Sequence, residues 1–231
     1  RVYFFLDQNI ILMDFHHQLV TYLRDLKYKM KIKFCGIKNI GDLKFIIEKN
    51  INYAGFIFYK KSKRFVDDKL LKEIKNIDFK RTIPVCVFVN GEKDYIESIC
   101  SNFKNPIIQF HGDESEDFCE SFNYKYWKAL RVEDEEVFSF FDKYKNAEAI
   151  LLENYKPGHY GGTGESFDWS ILKKNKTNKN IILSGGINLE NINNAITMSP
   201  WCIDINSGAE DVNGNKDKDL IISFLKIVND K

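Results

Sequence analysis

The chain has 231 residues, 44% of them hydrophobic, and a formal net charge of +1 at pH 7. This length suits one large domain or two small ones, and the near-neutral charge gives no indication of a nucleic-acid partner. The five cysteines are odd in number and contain no CxxC pair, which argues against a disulfide scaffold or zinc knuckle and favours a reducing, cytoplasmic setting.

The N-terminal segment is apolar but does not resemble a targeting or membrane sequence. Acidic residues interrupt residues 1–29, and no apolar run reaches the roughly 18–20 residues that a spanning helix needs. No membrane partner is therefore expected. We interpret residues 1–29 as an N-terminal extension, either the tail of a fused or associated partner or an appendage that packs on the next domain.

From residue 30 onward, short apolar runs alternate with amphipathic stretches of about ten residues. Continuously apolar runs are typical of parallel strands buried on both faces, and the amphipathic stretches predict helices. The predicted strands are 32–35, 53–59, 84–89, 107–110, 126–130, 149–152, 180–184 and 201–205. The helices predicted to follow them are 39–50, 66–74, 93–101, 115–122, 135–144, 168–172, 189–196 and 218–228.

This pattern of eight strand–helix units predicts an α/β fold, because strands that alternate with helices pair in parallel. A single (β/α)8 TIM barrel over residues 30–231 accounts for the count of eight and for the short loops. The alternative is an open, doubly wound sheet with helices on both faces. The number of units favours the barrel.

Polar and glycine residues concentrate where the predicted strands end, which in a barrel is where the active site lies. The sequence places there Cys35, Gly36, residues 60–64, Asn90, Gln109, residues 111–113, Arg131, Glu153, residues 184–186, Asp204 and residues 206–208.

Two glycine clusters, "SGGIN" and "NSGAE", follow the seventh and eighth predicted strands. Barrels often hold a phosphate in these two loops, where the missing side chain lets backbone N–H groups approach the anion. Each cluster alone is as readily an ordinary turn. Together they predict a phosphate site at Gly185, Gly186, Ser207 and Gly208.

Three further residues at the strand ends carry alternative interpretations. Cys35 is either a small buried apolar side chain or a general base. Arg64 is either a solvated charge in a basic loop or a fork that binds a carboxylate. His111 is either a group that holds its loop by hydrogen bonds or part of the site.

Seven motifs occur in order from residue 30 to about residue 228, and together they identify a family. They are "KIKFCGIKN", "GFIFYKKSKRFV", "VCVFVN", "IIQFHGDE", "PGHYGGTGESFDW", "ILSGGINLENI" and "DINSGAEDVNGNKD". The set resembles phosphoribosylanthranilate isomerase, the enzyme of tryptophan biosynthesis that performs an Amadori rearrangement. The resemblance implies a phosphorylated small-molecule substrate, no metal and no organic cofactor. It also suggests fusion to, or association with, another tryptophan-pathway enzyme.

The resemblance also implies roles for individual residues. It makes Cys35 the general base, Arg64 the group that binds the anthranilate carboxylate, and Asp204 a residue that lines the site. From its place at the end of the fourth predicted strand, His111 is expected to bind substrate as well. The resemblance assigns the substrate phosphate to the four residues of the two glycine clusters. The family's general acid is an aspartate in "LLD", which falls on Glu153 here, where the motif reads "LLE".

Glu153 is the departure from the family pattern. Its extra methylene displaces the carboxyl by roughly a bond length, and about 1 Å of misplacement can cost about 10²-fold in rate. The alternative is therefore a weakened or non-catalytic barrel that binds a phosphorylated ligand or a protein partner. A sugar-phosphate isomerase of the histidine pathway would use two carboxylates, and Cys35 argues against it.

The reaction needs an acid and a base that face each other across the sugar. Cys35 on the first predicted strand and Glu153 on the sixth are expected to lie on opposite sides of the ring. Residues 154–166 contain four glycines and are expected to move, closing over substrate to exclude water.

Overall fold

The computed structural model describes residues 30–156, 166–174 and 177–230. The strands of these ranges are β1 (Lys31–Phe34), β2 (Tyr53–Ile57), β3 (Ile83–Phe88), β4 (Ile107–Phe110), β5 (Lys125–Val132), β6 (Ala149–Asn154), β7 (Ile181–Leu183) and β8 (Cys202–Ile205). The α-helices are α1 (Ile40–Glu48), α2 (Asp68–Ile74), α3 (Lys93–Cys100), α4 (Glu116–Glu120), α5 (Ile192–Thr197) and α6 (Lys218–Asn229). Short 3-10 helices cover Glu135–Phe140, Trp169–Lys174 and Ser207–Ala209.

The eight strands form a closed parallel barrel in chain order, which confirms the predicted (β/α)8 fold. The ring closes between β1 and β8, where Lys33 pairs in register with Asp204. None of the helices in the described ranges is long and apolar enough to cross a membrane. The predicted extension at residues 1–29 lies outside the described residues, so its division from the barrel stays a prediction.

Alternate residues of each strand face the barrel interior, because successive side chains point to opposite faces. A cluster of aromatic rings fills the end of the barrel where the strands begin. The ring of Tyr53 lies 4.8 Å from that of Trp127 and 5.9 Å from that of Trp201, and Lys31 Nζ lies 4.1 Å from the Trp201 ring centroid. This filled end leaves the opposite, carboxyl end of the strands for ligands.

The outward-facing strand residues pack beneath the helices. Phe34 of β1, for example, contacts Phe224 of α6 with ring centroids 6.2 Å apart. Polar residues fix several helix starts: the Asn39 side chain accepts from the Asp42 amide, and the Asp67 side chain accepts from the Leu70 amide.

The structure differs from the sequence prediction in two crossovers. The helices predicted at 135–144 and 168–172 are 3-10 helices at Glu135–Phe140 and Trp169–Lys174. A 3-10 helix has about 3.0 residues per turn and an α-helix about 3.6. The spacing of apolar residues along the two helix types therefore becomes distinguishable only after two turns. Six residues are too few to tell them apart. Strand β6 also extends past its predicted end, so Glu153 lies within the strand and not after it.

A buried ion pair fastens the loop after β4 to β5. Lys128 Nζ lies 3.2 Å from Glu114 Oε2 and donates to the Gly112 carbonyl at 2.7 Å. Both side chains are 2% exposed. Glu114 in turn accepts from the backbone N–H groups of Gly112 and Asn90. This loop begins at His111, so the pair fixes the backbone that carries a predicted site residue.

We expect Lys128→Met to lower the free energy of unfolding by about 3–5 kcal/mol, because it leaves the Glu114 carboxylate buried without its cation. Urea denaturation measures the loss. Lys125→Met is the matched control on the same strand: Lys125 is 72% exposed in its pair with Glu148, and exposed pairs contribute about 0–1 kcal/mol. Equal losses in the two variants would contradict the importance of the buried pair.

Candidate active site

The carboxyl ends of the strands bring together most of the polar residues predicted from the sequence. The buried interior cluster includes Ala129, Leu151, Ile182 and Cys202. The next interior position on each of their strands is polar, because two residues along a strand return to the same face. These next positions are Arg131 on β5, Glu153 on β6, Ser184 after β7 and Asp204 on β8.

Cys35 lies directly after β1, with its side chain against Gly55 of β2. Its amide donates to the Ile205 carbonyl at 2.9 Å, which extends the seam between β1 and β8. A Cβ on Gly55 would lie 2.8 Å from Cys35 Sγ, so only glycine leaves room for the thiol. Burial raises the pKa of the Cys35 thiol, the positive charge of Lys33 opposes that rise, and Asp204 adds to it.

Lys33 and Asp204 form a buried ion pair beneath the thiol. Lys33 Nζ lies 2.8 Å from Asp204 Oδ2, and the lysine side chain is fully buried. Burial disfavours the lysine charge, but Asp204 and Cys35 outweigh it and raise the pKa of Lys33. The second carboxylate oxygen of Asp204 is buried and has no hydrogen-bond partner among the described residues. One oxygen of Asp204 is thus committed to Lys33, and the other remains for a ligand.

Glu153, His111 and Gln109 form a second polar row on the interior surface. Glu153 Oε1 lies 2.8 Å from His111 Nε2, and both side chains are largely buried. Gln109 Nε2 lies 2.8 Å from His111 Nδ1. An amide nitrogen only donates, so with Gln109 in this assigned orientation Nδ1 accepts and the ring proton is on Nε2, facing Glu153.

The contact between Glu153 and His111 is close but poorly aligned. Glu153 Oε1 has no hydrogen-bond partner with acceptable angles among the described residues, despite its 2.8 Å separation from the ring nitrogen. A buried carboxylate oxygen without an aligned donor is unfavourable. It is therefore available to a ligand group.

Arg64 does not extend freely into the site, because Glu210 binds it through two hydrogen bonds. Arg64 Nε lies 2.6 Å from Glu210 Oε1, and Nη2 lies 2.7 Å from Oε2. Lys216 Nζ contacts the same Oε1 at 2.9 Å and donates to the Asn206 carbonyl at 2.9 Å. Two cations thus share one carboxylate, which leaves one net positive charge in a largely buried cluster. This charge favours an anionic ligand group.

Arg64 also lies close to the thiol. A Cβ on Gly36, the residue after Cys35, would lie 2.4 Å from Arg64 Cδ. Gly36 has φ +74°, a conformation that residues with side chains rarely adopt. Glycine at this position therefore allows the chain to turn and leaves space for the Arg64 side chain to cross it.

The loops after β7 and β8 pack backbone against backbone. Gly185 and Gly186 have φ values of +91° and +64°. A Cβ on Gly208 would lie 2.0 Å from the Ile187 carbonyl oxygen, so no side chain fits there. The Asn191 side chain donates to the Gly186 carbonyl at 2.9 Å and holds the first loop. Both predicted glycine clusters are thus adjacent, as a shared anion site requires.

Sequence reasoning missed Lys33, Glu210 and Lys216. Lys33 could have been found from its spacing, since it precedes Cys35 by two residues on a strand and so shares its interior face. Glu210 and Lys216 lie in the segment between β8 and α6, where no periodic pattern marks a contact. The predicted moving loop falls mainly on residues 157–165, outside the described residues. Among the described residues, no group of three His, Cys, Asp or Glu could hold a metal ion.

The family model and the curated relatives reported below all point to the same family of isomerases. The family model for N-(5'-phosphoribosyl)anthranilate (PRA) isomerase matches residues 32–227. The isomerase of that name from Marinomonas sp. strain MWYL1 is 36% identical over 197 residues, covering 84% of this chain and 96% of the relative. Its counterpart from Caldanaerobacter subterraneus subsp. tengcongensis is 35% identical over 201 residues, covering 86% and 98%.

Solved structures agree with the sequence relatives. The crystal structure of phosphoribosyl anthranilate isomerase from Thermotoga maritima has a TM-score of 0.78 at 33% identity, covering 87% of this chain and 100% of that one. A phosphoribosyl anthranilate isomerase in complex with reduced 1-(o-carboxyphenylamino)-1-deoxyribulose 5-phosphate has a TM-score of 0.75 at 32% identity, with the same coverage.

The Arg64–Glu210–Lys216 cluster predicts a pH-dependent contribution to stability. Burial alone would raise the pKa of Glu210, but the hydrogen bond from Arg64 and the charge of Lys216 lower it below 4.5. A carboxyl whose pKa is lowered by folding stabilises the folded state above its unfolded pKa and loses that effect as the pH falls.

We therefore expect Glu210→Gln to unfold at lower urea concentration than the wild type at pH 7, with the difference shrinking as the pH falls below about 4.5. Denaturation series at several pH values measure this. Glu73→Gln removes an exposed glutamate from α2 and should leave stability nearly unchanged. A difference for Glu210→Gln that did not depend on pH would contradict the charge interaction.

Proposed function

The chain belongs to the N-(5'-phosphoribosyl)anthranilate isomerase family and is an isomerase of tryptophan biosynthesis, and we propose that Cys35 is its general base and Glu153 its general acid. The observation that carries this proposal is the position of both groups. Each is about 5% exposed and lies at the carboxyl end of its strand, with the Glu153 side chain on the barrel interior. Two strands, β7 and β8, lie between Cys35 and Glu153 on one side of the ring, and four strands lie between them on the other side. The two side chains therefore face each other across the barrel mouth.

The Amadori rearrangement divides the work between the two groups. Glu153 donates a proton to the ribose ring oxygen, the ring opens, and the nitrogen lone pair forms a Schiff base. The Cys35 thiolate then removes the C2′ proton, the electron pair of that C–H bond forms a C1′=C2′ double bond, and the π pair of the C=N bond returns to the nitrogen, which gives the enol. The enol relaxes to the 1-deoxyribulose. These steps are proton transfers within one substrate, so the proposal includes no metal and no organic cofactor.

Glu153 reaches the site from within β6 and not from the loop after it. Its carboxylate lies against His111, whose ring is oriented by Gln109. The uncommitted oxygen Oε1 is the atom that we assign to the proton transfer. In this arrangement His111 positions the acid and contacts the substrate, which fits its predicted role in substrate binding.

Arg64 and Asp204 are proposed to bind the two ends of the reacting part of the substrate. Arg64 uses Nε and Nη2 for Glu210, which leaves Nη1 to donate to the anthranilate carboxylate. The net positive charge of the Arg64–Glu210–Lys216 cluster supports a carboxylate at this place. Asp204 has one oxygen without a hydrogen-bond partner in the described residues, which can accept from a ribose hydroxyl.

We assign the substrate phosphate to the loops after β7 and β8, at Gly185, Gly186, Ser207 and Gly208. The positive φ values of the first two residues and the close backbone approach at Gly208 support an anion held by backbone N–H groups. The cytoplasmic setting and the association with another pathway enzyme stay predictions from the sequence.

If Glu153 is the general acid, Glu153→Gln should lower kcat by about 10²–10⁴-fold, the usual range for a positioned acid or base. KM should change little, because the loss is confined to the transition state. Steady-state assays that follow the fluorescence of the anthranilate-type substrate measure both constants. Glu148→Gln is the control at the other end of the barrel, immediately before β6, and should keep wild-type kinetics.

Wild-type turnover in Glu153→Gln would sink the assignment and favour a different acid, with His159, outside the described residues, or a water as the next candidates. Inactive wild-type protein would favour the non-catalytic barrel. Glu153→Asp restores the family residue: a retained or improved rate would mean that the local backbone is family-like, and a large loss that it fits the longer side chain.

Gly208→Ala tests the phosphate site. Its Cβ would clash with the Ile187 carbonyl oxygen, so the two loops must separate. We expect KM for the phosphorylated substrate to rise about 10-fold or more, which corresponds to about 1.4 kcal/mol. Inhibition by inorganic phosphate should weaken in parallel. Gly91→Ala, whose Cβ meets the Ile96 side chain at 3.3 Å and Phe88 Cβ at 3.8 Å, is the control. Unchanged phosphate inhibition in Gly208→Ala would place the phosphate elsewhere.

A further inference from the structure

A lysine with no exposed surface lies beside the thiol that is proposed as the base. Lys33 precedes Cys35 by two residues on β1, so both side chains face the barrel interior. A Cβ built on Gly55 of the neighbouring strand would lie 2.8 Å from Cys35 Sγ and 3.0 Å from Lys33 Cε. The thiol and the end of the lysine side chain therefore share the space that Gly55 leaves empty.

Lys33 is held in this place from the other side by Asp204. The 2.8 Å contact between Lys33 Nζ and Asp204 Oδ2 crosses the seam between β1 and β8, where the two residues are also register partners. A fully buried ammonium is costly unless a carboxylate compensates it, and here it has one. The pair thus fixes a positive charge against Cys35 in a part of the barrel from which water is excluded.

The charged groups around Cys35 come from three directions. Lys33 and Asp204 lie on β1 and β8 beneath it, Arg64 approaches from the loop after β2, and Lys216 from the segment before α6. Glu210 binds both Arg64 and Lys216. Of these cations, Lys33 is the one whose Cε lies beside the thiol in the space at Gly55, and its positive charge opposes the rise in the pKa of the thiol more than that of any other group.

We propose that Lys33 is a positioning residue for the isomerisation, which acts by stabilising the Cys35 thiolate and by directing its sulfur into the site. The proposal rests on Cys35 being the general base. Burial by itself favours the neutral thiol, which cannot accept a proton, so the base requires a compensating charge. Lys33 keeps its own proton throughout: the C2′ proton passes to Sγ, and the ammonium–carboxylate pair remains intact.

The first measurement is the rate of Cys35 alkylation by iodoacetamide against pH, with the modified cysteine identified by peptide mass spectrometry. Alkylation reports the thiolate fraction and does not depend on turnover. Lys33→Met should move the midpoint of the Cys35 profile upward by about 1–3 pH units, the usual effect of one neighbouring opposite charge. Below the midpoint the rate should fall about 10-fold for each unit.

Lys31→Met is the matched control. Lys31 lies on the same strand and face, one layer deeper, where its Nζ contacts the Tyr53 hydroxyl at 3.1 Å and the Trp201 ring. Its loss should leave the Cys35 profile unchanged. An equal shift in Lys31→Met would mean that removing any lysine from β1 loosens the barrel, and it would overturn the proposal.

A second pair of variants covers the case in which Lys33→Met does not fold, because that change leaves Asp204 buried and unpaired. Asp204→Asn and the double variant Lys33→Met/Asp204→Asn contain no unpaired buried carboxylate. The double variant should show a higher Cys35 midpoint than Asp204→Asn alone. An identical midpoint in these two proteins would also overturn the proposal.

Kinetics separate this inference from the assignment of the base. In Lys33→Met, kcat at neutral pH should fall by about 10-fold or more and partly recover as the pH is raised, which a purely structural loss would not do. If Cys35→Ser keeps wild-type turnover, the base assignment fails, whereas the alkylation profile still reports whether Lys33 controls the thiol. If Cys35→Ser is inactive and the profile does not move, only the role of Lys33 fails.

Discussion

The buried ion pair between Lys33 and Asp204 joins the first strand of the barrel to the last. Its two residues are register partners at the seam, so one contact reports both that the ring is closed and that β1 and β8 are aligned correctly. A shift of β1 by one residue relative to β8 would turn Lys33 and Cys35 outward, away from Asp204. Because the Cys35 thiol lies next to this pair, the closure of the barrel and the proposed activation of Cys35 depend on the same interaction.

A second charge cluster extends this arrangement around the barrel mouth. Glu210 forms ion pairs with both Arg64 and Lys216, and Lys216 donates a hydrogen bond to the Asn206 carbonyl. These contacts connect the loop after β2 to the loop after β8. The first cluster is balanced around the thiol, whereas the second has an excess positive charge. In the binding mode that we propose, the substrate carboxylate lies at Arg64 and the substrate phosphate at the glycine loops. The charges of the site are therefore complementary to those of the ligand that we propose.

Much of the fold could be predicted from the sequence, because each strand is a short apolar run and each crossover has a helical period. The type of helix in the short crossovers could not be predicted, because six residues are too few to distinguish a 3-10 pattern from an α-helical one. In the site, residues at strand ends such as Cys35 and Glu153 were accessible to the same reasoning. The partner of Arg64 could not be predicted in this way, because Glu210 is 146 residues away and lies in the loop after β8, where no periodicity marks a contact.

Glu153 illustrates how a departure from a motif can be accommodated by its surroundings. The strand continues through Glu153 to Asn154, so the backbone at this position is fixed by pairing with β5, where Glu153 is opposite Arg131. The longer side chain then extends further into the barrel and reaches His111, whose loop is itself fastened by the Lys128–Glu114 pair. An aspartate on the same backbone would end about one bond length short of the ring nitrogen. The extra methylene thus brings the carboxyl against a histidine that directly follows β4, in keeping with the role that we propose for Glu153.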